Sequence, residues 1–137
     1  MIDVEEYYKG LPGCSIPEVE NRGISVKQLE QIYHEIEARC IVENWENYEK
    51  KKLTPEEVTL YDIKETIIIS RSKEKQCSYV ERIASGPQKP TKFMSHWWGD
   101  RVCSMIYCLD QYIKDRGLSE DKTFFWICVS NSINFII

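Results

Sequence analysis

Two stretches carry residue types that could do chemistry: Ser95-His96-Trp97-Trp98-Gly99 and Ser130-Asn131-Ser132-Ile133-Asn134. Trp is scarce, and an adjacent pair beside His and Gly is unusual for a plain loop. Trp97 or Trp98 could stack on a planar base or ring. Gly99 allows a tight turn or a close backbone approach. A helix starting just after it would offer free amides and a partial positive charge, suited to an anion such as a phosphate. Asn131 and Asn134 present donors and acceptors able to read a ribose or a base edge. With Ser95 and His96, these residues describe a nucleotide-like pocket. The same residues have plainer readings. One Trp of a pair normally packs into the core. His96 could simply bond the next strand's backbone, Asp100 could cap the helix, and Asn after a strand is ordinary turn chemistry.

The pocket requires a strand before each stretch and a helix between them. Thr91-Lys92-Phe93-Met94-Ser95 reads as a strand preceded by Pro90, whose missing amide does little harm there. From Asp100 a long amphipathic helix follows: Val102, Ile106, Leu109 and Ile113 form one stripe, widened by Met105 and Tyr112, and Gly117 is placed to cap it. Thr123-Phe124-Phe125-Trp126-Ile127-Cys128-Val129 is apolar on both faces, like a central strand of a parallel sheet. The reading is a βαβ unit over 91–129 with parallel strands and a right-handed crossover. Ligands of such sheets gather at the C-terminal strand ends, where the two stretches lie.

Upstream, residues 1–24 read as an irregular leader rich in Gly and Pro, with Tyr7-Tyr8 placed to dock it. A segment over 25–60 reads as helical. Ser25 and Gln28 make a capping box, and Val26, Leu29, Ile32, Tyr33 and Ile36 repeat at helical spacing, predicting a helix over 26–40 with a continuation toward 50. Thr54-Pro55-Glu56-Glu57 is a second helix start. The α/β core is read over 61–137. Within it Thr66-Ile67-Ile68-Ile69 predicts a short buried strand. Ser78 and Glu81 form another capping box, opening a short helix that Gly86-Pro87 ends.

Composition sets outer bounds. The chain has 137 residues and a net charge of −4. Residues 1–70 hold 8 Lys/Arg against 15 Asp/Glu, and residues 71–137 hold 10 against 7. This balance argues against nucleic acid or an anionic membrane as partner. No apolar run reaches the roughly 18 residues of a membrane span. The start, Met1-Ile2-Asp3-Val4-Glu5-Glu6, lacks the basic and apolar regions of a signal peptide, so a cytoplasmic address is expected. Six cysteines without a Cys-x-x-Cys pair then read as free thiols, and a zinc site is not expected.

The run Phe93-Met94-Ser95-His96-Trp97-Trp98-Gly99, the following helix, and Phe125-Trp126-Ile127-Cys128 with its Asn-rich turn resemble the opening βαβ of a protist and algal protein group. In that group Ser-His-Trp-Trp-Gly precedes a Tyr-Trp-Val-Cys strand and an Asn-Asn-Gln turn. Leu60-Tyr61-Asp62 through Cys77-Ser78-Tyr79-Val80-Glu81 resembles its usual preface. The core is similar to the fungal heterokaryon-incompatibility domain and, through it, to Toll/interleukin-receptor (TIR) folds. The resemblance covers roughly residues 60–135. It implies a partial flavodoxin-like α/β fold, signalling by self-association and, in some relatives, cleavage of NAD at the nicotinamide bond.

The departures are definite. The catalytic Glu of the NAD-cleaving relatives lies on a later helix of the fold, the Asp of the fungal strand is Cys128 here, and no Gln follows Asn131 or Asn134. No catalytic residue carries over. Ser95, His96, Trp98 and Gly99 match the motif as binding residues only.

Three functions compete. The first is a truncated or minimal TIR/heterokaryon-like module acting through self-association, non-catalytic alone, its apolar end Asn134-Phe135-Ile136-Ile137 wanting another chain or further sequence. The second is a hydrolase of NAD or a related nucleotide completed by an oligomer or by further C-terminal sequence, with Glu81 the motif-linked carboxylate and a capping-box role its alternative. The third is a Cys/His hydrolase built on His96 and Cys128, where an apolar setting for Cys128 would leave the thiol inert.

Overall fold

The computed structural model describes residues 3–129, apart from the side chains of His96, Cys128 and Val129. Asn131 and Asn134 lie outside the described residues. The elements in chain order are α1 (Val4–Lys9), β1 (Ile24–Ser25), α2 (Val26–Arg39), α3 (a continuous helix over 60–72), α4 (Tyr79–Ile83), β2 (Lys92–His96), α5 (Val102–Asp115) and β3 (Phe124–Val129). Short 3-10 turns occur at Val19–Asn21 and Pro55–Glu57. The chain is a mixed α/β protein, and no described helix is long and apolar enough to cross a membrane.

The βαβ unit is present. β2 and β3 run parallel, with Phe93 opposite Trp126, Met94 opposite Ile127 and Ser95 opposite Cys128. The sheet is not wholly parallel, however. β1 pairs antiparallel with the start of β3, giving the order β1-β3-β2. The apolar run 124–129 is thus the central strand of the described sheet, with its Phe125 and Ile127 side against the core. α5 buries Val102, Met105, Ile106, Leu109 and Ile113. Its Tyr112 meets Phe125 edge-on at 6.1 Å between ring centroids. Gly117 sits just beyond its end with φ +62°, the left-handed conformation a helix stop asks for.

Side chains alternate across a strand, so the ladder sorts the sheet's faces. Phe125, Met94 and Ile127 face the core. Phe93 and Trp126 occupy the opposite face, where Phe93 is 80% exposed.

The capping boxes form as their sequences require. The Ser25 hydroxyl accepts from the Gln28 amide while the Gln28 side chain accepts from the Ser25 amide. α2 stops at Cys40 instead of continuing toward 50. The chain then turns at Asn44, φ 55°, and returns as a small loop closed by Leu53 N–H to the Trp45 carbonyl at 2.9 Å. The expected strand at 66–69 is also corrected. Those residues lie in a π-helical stretch, Lys64–Ile69, continuous with α-helical turns on both sides. Thr59 and Asp62 cap the start of this helix, and Ile63, Ile67 and Ile68 are all buried. Helical burial outweighs the β preference of the isoleucines, which reflects packing more than backbone.

The leader is less irregular than its composition suggests. Asp3 caps α1 by accepting from the amides of Glu5 and Glu6. Tyr8 is buried, and residues 14–16 are tied to α4 through the Glu81 backbone and carboxylate. One core cluster runs from Tyr8 to Phe125, so leader, helical segment and βαβ unit share a single interior.

Candidate functional site

The parallel register brings the ends of β2 and β3 side by side, with His96 opposite Val129 in the backbone ladder. Ser95, His96, Trp98 and Gly99 therefore sit on or just beyond the C-terminal end of β2. Ser95 is exposed and Gly99 is half-buried. The two indoles part company. Trp97 is 59% exposed, whereas Trp98 is 3% exposed and belongs to the core. Trp98 packs against the Tyr61 ring at 5.9 Å, and its carbonyl accepts the Tyr61 amide at 3.3 Å. Its indole is thus a core anchor in place of a stacking platform. Trp97 takes the exposed position, and its ring folds over Gly99. A Cβ at Gly99 would lie 2.3 Å from the Trp97 ring, so the glycine permits this close approach.

The corner is clamped to the segment before α3. Asp100 N–H bonds the Trp97 carbonyl at 3.0 Å, and Val102 N–H bonds the Val58 carbonyl at 2.9 Å. The residue at the N-cap of α5 is Arg101, not Asp100, and it makes no side-chain cap. Glu81 is occupied structurally. Its Oε1 accepts from the Ser78 amide and hydroxyl, both at 3.0 Å, and lies 3.3 Å from Arg22. Its Oε2 accepts the Ile16 amide at 2.9 Å. Burial disfavours the charged form, yet these partners outweigh it and hold the carboxyl below its ordinary value. The Cys/His pairing falls on side chains outside the described ones. Among the described cysteines all are free thiols, and burial pushes Cys14, Cys40 and Cys77 upward, away from the reactive thiolate.

Two clusters were not visible in the sequence reading. One is a buried charged knot. The Glu35 side chain accepts from Tyr8 Oη at 2.7 Å on one oxygen, and from Arg39 at 2.6 Å and Arg71 at 2.7 and 2.9 Å on the other. Tyr8 gives its only proton to Glu35, so the Tyr79 hydroxyl, 2.7 Å away, donates to Tyr8. Burial and the neighbouring Glu35 push both phenols well above their ordinary value. Arg71 also stacks over the Tyr8 ring at 4.2 Å. The only sequence signal was Glu35 beside Ile36 on the apolar side of α2, with Arg39 one turn on.

The other is a groove of about 320 Å³ between α2 and α5. Glu30, Tyr33 and His34 form one wall, and Ile106, Tyr107 and Asp110 the other. Residues 30, 33 and 34, and 106, 107 and 110, are each neighbours at helical spacing. Burial, then the charges of Glu120 and Asp110, raise the Glu30 carboxyl above its ordinary 4.5. A raised carboxyl makes the ionised protein less stable than a neutral isostere. Glu30→Gln is therefore expected to increase the urea midpoint at pH 7. That gain should disappear as pH falls through the raised value to the ordinary one, read by urea titrations at several pH values.

No protein-family model, no curated protein and no solved structure matches the chain.

Proposed function

We propose that the chain is a TIR/heterokaryon-incompatibility-like signalling or interaction module acting by self-association, its α/β core a partial flavodoxin-like sheet. The observation that carries this reading is the margin of β2. Among the described residues it is an edge strand of the sheet, with Phe93 80% exposed on the outer face and Trp97 59% exposed at its end. Parallel strands usually have both faces covered, and a bare edge is a template for another strand. Pairing with β2 of a second copy would satisfy the outward backbone groups of both strands and shelter both Phe93 rings. The resemblance of residues 93–99 to the Ser-His-Trp-Trp-Gly group supports the same reading. A cytoplasmic address, with neither nucleic acid nor membrane as partner, goes with it. The nucleotide-cleaving alternative asks for a carboxylate at the strand ends, and Glu81 already serves Ser78, Ile16 and Arg22.

Sedimentation velocity over a rising concentration series is expected to show average masses above the 16.2 kDa monomer. Phe93→Glu should return the chain toward monomer with its circular dichroism unchanged. A wild-type chain monomeric throughout would overturn the proposal. The same preparation incubated with NAD is expected to release no nicotinamide above a buffer blank; turnover would put the hydrolase reading first.

A further inference from the structure

The body of the protein holds the leader as a receptor holds a peptide, chiefly through side chains from one short stretch, residues 71–82. Arg71 grips the Glu5 carboxylate through both terminal nitrogens, at 3.0 and 3.2 Å. Arg82 donates to the carbonyls of Tyr8 at 3.0 Å and Leu11 at 3.1 Å. Lys75 donates to the Pro12 carbonyl at 3.2 Å. Glu81 accepts two leader amides at 2.9 Å, Cys14 on its backbone carbonyl and Ile16 on its carboxylate. Two buried side chains, Tyr8 and Ile16, plug the surface. The Tyr8 hydroxyl reaches Glu35 and Tyr79 at 2.7 Å each, and its ring lies beneath the guanidinium groups of Arg71 and Arg82. The buried Glu35 also fixes Arg71, so the seat is braced from within.

We propose that this surface is a peptide-binding seat which the leader fills in cis, and that it accepts the same segment, residues 3–16, from a second copy of the chain. Charge complementarity selects the occupant. Asp3, Glu5 and Glu6 outnumber Lys9 in the segment, and the seat meets it with Arg71, Lys75 and Arg82. The seat's own carboxylates are already bound, Glu35 by Arg39 and Arg71, Glu81 by Arg22. A helix of six residues is too short to persist alone, so α1 takes its shape from the seat. An identical segment from a second copy makes identical contacts. Exchange therefore loses no interaction and is governed by concentration and by the reach of the hinge. The hinge is at hand: exposed Pro17 and Glu18 join the last anchor, Ile16, to the turn at Val19–Asn21. The inference goes beyond pairing through β2 and does not need it, since it uses other elements.

The test uses full-length variants and a fluorescent peptide of residues 3–16. Tyr8→Ala loosens the cis leader and leaves the seat whole. Anisotropy titrations are expected to show saturable binding of the peptide to this variant, roughly tenfold tighter than to wild type, where the tethered leader competes. A peptide carrying Tyr8→Ala should not bind. Circular dichroism checks the fold. If Tyr8→Ala unfolds, Glu5→Ala, which removes only an exposed carboxylate, should give the same order with a smaller gap. Native mass spectrometry then reads the occupant. Arg82→Ala spoils the seat and keeps the leader intact. Mixed with Tyr8→Ala, it is expected to give heterodimer above its statistical share, because only the mixture joins a good leader to a good seat. Pairing through β2 would raise homodimers and heterodimers alike, so the two contacts fail separately. The proposal is overturned if the peptide binds no loosened variant or if the Tyr8→Ala peptide binds equally. It is also overturned if the peptide binds but the heterodimer stays at its statistical share, which would give the seat to an acidic, tyrosine-bearing peptide of another protein.

Discussion

Replacing Glu35 with Ala is expected to lower the unfolding free energy by about 3–5 kcal/mol, the usual cost of removing one partner from a buried ionic cluster. Glu35 is 1% exposed, and its carboxylate is the common acceptor for Arg39, Arg71 and Tyr8. Without it, two largely buried guanidinium groups and the hydrogen-bonded Tyr8–Tyr79 pair lose their carboxylate in a place that water does not reach easily. Part of the loss is softened, because Arg39 keeps Glu43 and Arg71 keeps Glu5. The contrasting variant is Glu5→Ala. Glu5 pairs with the same Arg71 but its side chain is 66% exposed, so its removal should cost under about 1 kcal/mol. Urea denaturation of both variants measures the difference. Equal losses would mean that the partner matters and the position does not, which contradicts the dielectric argument. Because Tyr8 belongs to α1 and Tyr79 to α4, limited proteolysis of Glu35→Ala should also release the leader before the rest of the chain unfolds.

The two adjacent tryptophans should respond very differently to the same truncation. Trp98→Ala is expected to cost about 3–5 kcal/mol, the range for emptying a large aromatic site in a core. Trp97→Ala should stay within about 0.5 kcal/mol, as surface substitutions do. Trp98 is 3% exposed, packs on Tyr61 and holds the corner where β2 passes into α5; Trp97 lies outside, folded over Gly99. Urea unfolding monitored by tryptophan fluorescence separates the pair. A large loss for Trp97 with a small one for Trp98 would reverse the assignment of core and surface. The contrast also bears on function. If Trp97 is part of the associating margin, Trp97→Ala should weaken self-association while leaving stability in place.

Features that depend on neighbours in the chain were legible in advance. The Ser25/Gln28 and Ser78/Glu81 capping boxes form because donor and acceptor lie three residues apart. The apolar stripe of α5 and its glycine stop follow from helical periodicity alone. The pairing of 92–96 with 124–129 was legible too, since a strand, a helix and an all-apolar strand leave few other arrangements. The isoleucine run at 66–69 was misread because its β preference is weak beside a helix start at Thr59 and three buried isoleucines on its own turns.

Local starts and stops, the amphipathic faces and the parallel pair can be read from the chain's residues in order, because they are set by interactions within one turn or by the period of apolar residues. Which tryptophan became core and which stayed outside was settled only by packing. Packing also decided that Glu35 would meet Tyr8, 27 residues away, and that Glu30 and Asp110 would face each other across a groove. Such meetings depend on how finished helices pack, and the energy that selects one packing is spread over the whole interior. No short window of sequence contains it.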